Sequence, residues 1–121
     1  MKKEQNLSTA ELEIMQILWN SDTPMRVQDV CDMPGCEKWK YKTVATLLLR
    51  MEEKGAVKSQ KVNKANLYTP ILNKEQYTKS QTDSFIEKLY GGSAKELTVS
   101  LFKNEALTKD DIEEIRRMFE L

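Results

Sequence analysis

The chain contains no histidine. That absence removes His-based acid–base catalysis and every His-ligated metal site from consideration. Cysteine is scarce: two residues, Cys31 and Cys36, in 121. They fit a reducing compartment and do not build a disulfide framework. No apolar run approaches the roughly 18–20 residues of a membrane span, so no membrane insertion is expected. No charged-then-apolar N-terminal stretch marks the chain for secretion, and a cytoplasmic location is expected. Net charge is lacking too: 19 Lys+Arg balance 19 Asp+Glu, which excludes a chain that is basic all over. There is no Ser/His/Asp set, no Gly-rich phosphate loop and no recognisable carboxylate pair, so neither an enzyme nor a cofactor is expected.

What the chain does have is an uneven distribution of its charge. Residues 38–64 carry eight basic side chains (Lys38, Lys40, Lys42, Arg50, Lys54, Lys58, Lys61, Lys64) against Glu52 and Glu53, a local +6. Residues 1–72 come to +2 and residues 73–121 to −2. A basic block on a neutral protein suggests one patch facing a polyanion.

The block overlaps a stretch, Trp39 to Val57, that the rest of the chain is built around. Val44, Leu47, Leu48 and Met51 recur at i, i+3, i+4 and i+7, one apolar stripe of a helix. Opposite lie Lys42, Thr46, Leu49 and Glu53, flanked by Thr43 and Arg50. Gly55 stands where a helix C-terminus favours positive φ. A buried back and a cationic, hydroxyl-bearing front are what a recognition helix in a DNA major groove needs. The competing reading is an ordinary amphipathic helix with solvated lysines.

The flanks favour the first reading. Ser8 and Glu11 have capping-box spacing, and Leu7 with Leu12 the spacing of a hydrophobic staple. Leu12, Ile14, Met15, Ile17 and Leu18 face inward on the first helix, which Trp19 closes before the turn Asn20-Ser21-Asp22. The polar Met1–Asn6 is expected to be loose. Thr23-Pro24 reads as N-cap and N1 of a short second helix carrying Val27, Val30 and Cys31, broken at Met33-Pro34-Gly35. Two helices joined by a short break, the second basic, form the helix-turn-helix pattern. After Gly55 the period changes to two. Ala56–Val62 and Asn66–Thr69 read as strands around Asn63-Lys64. This hairpin is the wing of a winged helix, with Lys58, Lys61 and Lys64 placed to meet phosphate; edge-strand protection is the other common use of such lysines. Pro70 ends the domain.

Asn73 with Gln76 caps a fourth helix bearing Tyr77, Phe85, Ile86, Leu89 and Tyr90, stopped by Gly91-Gly92. Ser93 with Glu96 opens a fifth carrying Leu97, Leu101 and Phe102. Thr108 with Asp111 opens a sixth carrying Ile112, Ile115, Met118 and Phe119. Three helices in 49 residues are too little mass for an independent core. The segment is therefore expected to interlock with its copy in a homodimer through Phe85, Ile86, Leu89, Tyr90, Leu97, Leu101, Phe102, Ile112, Ile115 and Phe119. The alternative is that it packs back on its own winged helix.

The expected fold is mainly α with a small β-hairpin wing (α+β): a winged helix-turn-helix domain at 1–72 and a three-helix dimerisation domain at 73–121. The DNA-facing set is Lys40, Tyr41, Lys42, Thr43, Thr46 and Arg50 on the 40–54 helix, with Lys58, Lys61 and Lys64 on the 56–69 wing.

The chain resembles the penicillinase repressor (BlaI/MecI) family of winged-helix repressors along nearly its whole length. The matching residues are Leu7-Ser8-Thr9-Ala10-Glu11-Leu12-Glu13-Ile14-Met15 with Trp19; Lys42-Thr43-Val44 and Thr46-Leu47-Leu48 with Arg50; Tyr68-x-Pro70; Phe85 to Leu89; Tyr90-Gly91-Gly92-Ser93; and Phe102-Lys103-Asn104-Glu105. The resemblance implies a homodimeric repressor on double-stranded operator DNA, an inverted repeat of the TACA/TGTA type. It implies control of a beta-lactam-resistance-type or related stress operon. It also implies release by a membrane sensor protease whose activity leads to cleavage of the dimerisation domain. The sequence departs from the family pattern in four places. Ala45 stands where Lys or Arg is usual. Leu49 stands where a polar residue is common, and either touches a thymine methyl or is merely tolerated. The wing shows Asn63-Lys64-Ala65-Asn66 in place of Gly-Arg. Ser100-Leu101 occupies the position of the scissile Asn-Phe bond. Copper-responsive relatives carry C-x-C pairs near the C-terminus, whereas no cysteine follows Cys36. Two further readings stay open: a winged-helix protein–protein interaction module, and a thiol/redox- or metal-responsive repressor using Cys31 and Cys36.

Overall fold

The computed structural model describes residues 6–121; of the loose segment expected at Met1–Asn6, all but Asn6 lies outside the described residues. Its elements run α1 (Thr9–Trp19), α2 (Val27–Cys31), α3 (Tyr41–Glu53), β1 (Val57–Val62), β2 (Ala65–Pro70), α4 (Lys74–Tyr90), α5 (Ala94–Lys103) and α6 (Lys109–Phe119). The chain divides into two compact units between Gln76 and Tyr77, inside α4. That division falls about one helical turn beyond the expected 72/73 boundary.

The N-terminal unit begins at the expected capping box. Ser8 Oγ accepts from the Glu11 amide at 3.1 Å, and Glu11 Oε1 accepts from the Ser8 amide at 2.8 Å. Ile14, Met15 and Leu18 of α1, Val30 of α2, Val44, Leu48 and Met51 of α3, and Ala56, Val57 and Tyr68 of the hairpin are buried together as one core. Leu7, Leu12 and Leu47 pack against its edge. The indole N–H of Trp19 donates to the Leu72 carbonyl at 2.8 Å, tying the end of α1 to the segment that follows β2.

One expectation is corrected here. Thr23-Pro24 does not cap α2, whose N-cap is Arg26. Met25 is extended instead, exchanging two backbone hydrogen bonds with Tyr68 of β2 at 3.0 and 2.7 Å. A residue whose N–H and C=O are both held by a strand cannot enter a helix. The helix starts three residues later than expected, with Arg26 as N-cap, where Asp29 accepts from the Arg26 amide at 2.9 Å.

The hairpin pairs Val57 with Pro70 through Val62 with Ala65. Its two-residue turn, Asn63-Lys64, has φ of +51° and +69°, the doubly left-handed geometry that matches the twist of two strands. Gly55, at φ +80°, closes α3.

At the start of α4 the Asn73 side chain accepts from the Gln76 amide at 3.0 Å. In the C-terminal unit Ser93 Oγ accepts from the Glu96 amide at 3.1 Å, and Thr108 with Asp111 forms a capping box. Gly91 and Gly92, both at positive φ, end α4. Neither α5 nor α6 buries a single residue.

Candidate nucleic-acid interface

The sequence of α3 sorts itself around the helix. Val44, Leu48 and Met51 are buried, and Lys42, Thr43, Thr46, Leu49 and Arg50 are exposed on the other side. Lys40 is the N-cap and Tyr41 the first helical residue, both exposed. All six residues expected to face DNA on this helix are thus at the surface. Lys40, Lys42, Thr43, Thr46 and Arg50 line one shallow cleft, together with Leu47. The Thr46 hydroxyl donates to the Lys42 carbonyl at 2.9 Å. Its methyl and its oxygen lone pairs remain available to a partner.

The basic block is smaller than its count suggests. Lys38 pairs with Glu13 at 2.6 Å and sits 4.8 Å over the Trp39 ring. Lys54 pairs with Glu11 at 2.6 Å and donates to the Asn6 carbonyl at 3.1 Å. Glu11 is the one charged residue buried with the core among the described residues, at 2% exposure. Burial alone would push its carboxyl up; the hydrogen bonds from Lys54 and Ser8 and the charge of Lys54 outweigh this and hold it below the usual carboxylate range. Lys38 and Lys54 therefore brace α1 against the start and end of α3. Lys40, Lys42, Arg50, Lys58, Lys61 and Lys64 are exposed, and among the described residues none of the six is in an ion pair.

The wing lysines do not form one row. Lys58 and Lys61 are three residues apart on a strand, so they project from opposite faces. Lys61 shares its face with Ser59, whose hydroxyl donates to Glu52 of α3 at 2.8 Å. Lys61 thus lies on the side turned towards α3, Lys58 on the side turned away, and Lys64 at the tip. Arg26, which lies outside the basic block, is exposed at the cap of α2. Its guanidinium is held by the Asp29 carboxylate at 2.8 and 3.1 Å. An R-x-x-D spacing at a helix start is the signal that could have found this pair.

The two thiols belong to α2 and to the turn before α3. Cys36 is buried and Cys31 half-buried. Burial pushes both thiols above their ordinary range, with negative neighbours adding to the effect. That is the opposite of the electropositive, exposed setting of a reactive thiolate. No group of three or more Cys, Asp or Glu that could hold a metal ion occurs among the described residues, and no described helix is long and apolar enough to cross a membrane.

The residues expected to pair two copies fall into two groups. Ile86, Tyr90, Leu97 and Ile112 are half-buried within the C-terminal unit. Phe85, Leu89, Leu101, Phe102, Ile115 and Phe119 are exposed, Leu89 and Phe119 each by 65%. The Ser100–Leu101 bond lies inside α5. Ser100 Oγ accepts from the Tyr90 hydroxyl and from the Asn104 side-chain amide, each at 3.2 Å.

Comparison with known proteins places this architecture. A family model described as penicillinase repressor matches residues 7–120. The penicillinase repressor of Bacillus licheniformis is 28% identical over 120 residues, which span 99% of this chain and 94% of that protein. The methicillin resistance regulatory protein MecI of Staphylococcus aureus (strain N315) is 28% identical over 116 residues, spanning 96% and 94%. Among solved structures, the DNA-binding domain of the repressor BlaI superposes with a TM-score of 0.54 at 33% identity, covering 64% of this chain and 94% of that one. The monomeric form of Bacillus licheniformis BlaI, solved in complex with the blaP half-operator, superposes with a TM-score of 0.51 at 33% identity and the same coverage. The chain belongs to the penicillinase repressor family, and its N-terminal unit has the winged-helix fold of that family's DNA-binding domain.

Proposed function

We propose that this protein is a transcriptional repressor whose homodimer holds an inverted-repeat operator. In each protomer α3 enters the major groove, with Lys42, Thr43 and Thr46 at the base edges, and Lys40, Tyr41, Arg50, Lys58, Lys61 and Lys64 contact the sugar–phosphate backbone. The observation that carries this reading is the six unpaired cations spread over α3 and the wing while two neighbouring lysines are consumed by structural pairs. A solvated face has no need of that segregation, whereas a phosphate-binding face does.

The exposed apolar side chains of α4, α5 and α6 support a homodimer. A unit of this size with no buried residue in two of its three helices gains its stability from a second copy. Cutting such a unit releases DNA, because two weak half-site contacts are tight only while linked. Induction through a membrane sensor protease, acting at Ser100–Leu101, fits this design with one physical requirement. Bonds inside a helix present no extended backbone to a protease cleft, so cleavage proceeds from a locally unwound α5. The regulated genes on this reading are a beta-lactam-resistance-type or related stress operon.

The deciding experiment is retention of promoter fragments by the purified protein, with the footprint mapped and the complex sized by chromatography. Two protomers on an inverted repeat, with affinity that falls steeply as salt rises, is the expected result. A protein that retains no duplex, or whose affinity ignores salt, refutes the reading.

A further inference from the structure

Along the outer stripe of α3 the order is Lys42, Thr46, Leu49, Glu53: cation, hydroxyl, hydrocarbon, anion. Leu49 lies at one edge of that stripe. At about 100° per residue it lies within about 20° of Lys42 and roughly opposite Val44 and Met51, which are fully buried. It points away from the core and is 53% exposed. It does not pack on the core, whereas Leu47 and Leu48 do.

The floor of a major groove offers donors and acceptors at every base pair, and one apolar group: the C5 methyl of a pyrimidine. A leucine on a groove-facing stripe has no hydrogen bond to offer and complements only that group. We infer that Leu49 is a specificity-determining residue that reads a pyrimidine C5 methyl, one per half-site, two helical turns beyond Lys42. This rests on the reading of α3 as the recognition helix. The natural sources of the group are thymine and 5-methylcytosine, and the operator's own thymine is the one assigned here.

The test uses the full-length protein and an operator duplex recovered from a randomised pool by repeated binding. Each thymine in the footprint is replaced singly by deoxyuridine, which removes the methyl and nothing else. One position per half-site should lose about fourfold in affinity, the equivalent of one buried methyl. Replacing both symmetric positions should lose about fifteenfold. In Leu49→Ala that loss should vanish, while deoxyuridine at every other position behaves as in the wild type. Leu49→Met, which keeps an apolar tip, should retain the discrimination. A further pair of duplexes carries cytosine or 5-methylcytosine at the same position; the methylated one should bind the wild type better by a similar factor and Leu49→Ala equally. If every deoxyuridine effect is the same in wild type and Leu49→Ala, or if the footprint holds no pyrimidine methyl, the assignment of Leu49 is wrong while DNA binding stands. If no duplex is retained at any salt, the recognition-helix reading fails and takes this one with it.

Discussion

Salt dependence can separate lysines that hold the fold from lysines that hold DNA. Of the eight cations between residues 38 and 64, the structure commits Lys38 to Glu13 and Lys54 to Glu11. With Lys42 at the base edges, five remain for phosphate. Each phosphate neutralised contributes about 0.9 to the slope of log affinity against log salt, so the slope should be no steeper than about −4.5 per protomer, or about −9 for a dimer. Arg50→Met should flatten it by about 0.9 per protomer and shift stability by less than about 0.5 kcal/mol, because Arg50 is exposed. Lys54→Met should behave in the reverse way. It leaves a carboxylate with a side chain 3% exposed and without its cation. Breaking a buried pair from one side costs about 3–5 kcal/mol; since Lys54 is a quarter exposed and Glu11 keeps its bond to Ser8, about 2–3 kcal/mol is expected. The salt slope should not change. Urea unfolding followed by tryptophan fluorescence isolates this unit, because the only two tryptophans, Trp19 and Trp39, belong to it. Anisotropy titrations over a salt series, at urea-free conditions where both variants are folded, supply the slopes. If Lys54→Met flattens the slope as Arg50→Met does and leaves stability intact, this division of the basic block is wrong.

Four further outcomes are expected. Because the folded state holds the Glu11 carboxyl below its usual range, its stabilisation is fully present above the unfolded-state pKa and is lost as pH falls through the lower folded-state value; urea midpoints from neutral to acidic pH should show this loss, and Glu11→Gln should remove that part of the pH dependence. Lys64→Gly relieves a non-glycine residue at φ +69° and should stabilise the unit by about 1 kcal/mol while flattening the salt slope by about one unit per protomer; unchanged stability on urea unfolding would count against strain at the wing tip. Lys61→Ala should weaken binding to all duplexes alike, whereas Thr46→Ala should narrow the gap between operator and random DNA, read by competition titration. Phe119→Lys together with Leu89→Lys should shift the protein to monomer in size-exclusion chromatography and lower operator affinity by about 10²-fold or more, with the urea midpoint of the tryptophan signal unchanged.

What could be read from the chain without coordinates was local. The Ser8/Glu11 box, the α3 stripe, the positive φ at Gly55, the Asn63-Lys64 turn and the Gly91-Gly92 stop each follow from residues within one or two turns of one another. What escaped was long-range. Met25 is held extended by Tyr68, 43 residues away in the chain, and a single extended residue leaves no periodic mark; Thr23-Pro24 satisfied the local rule for a helix start and lost to that pairing. Glu11 reads as a cap and nothing more, until α3 brings Lys54 to it from the same separation. The +6 count treated every lysine as available, because a sum over a window carries no information about partners elsewhere. The opposed faces of Lys58 and Lys61 were implicit in their odd spacing, and emerge once strand pairing is fixed.

The two units divide the work of repression along the line that separates their physics. The N-terminal unit has a hydrophobic core and a buried ion pair, and among the described residues no buried side-chain polar atom lacks a partner. Its contribution to binding is a handful of phosphate contacts and a short row of base contacts, which by themselves give affinities near the non-specific range of about 10⁻⁴–10⁻⁶ M. The C-terminal unit carries many of its apolar side chains on the outside, and on the proposed reading a second copy covers them. On the proposed reading, the linkage of two half-sites supplies an affinity gain of about 10²–10⁴ that no residue of the DNA-binding face provides. An inducing cut therefore need not touch the recognition helix. On that reading a cut at Ser100–Leu101 would remove the amphipathic sequence beyond it, including all of α6, and with it apolar area proposed to join the protomers. The N-terminal units would then fall off because their half-site contacts are no longer joined.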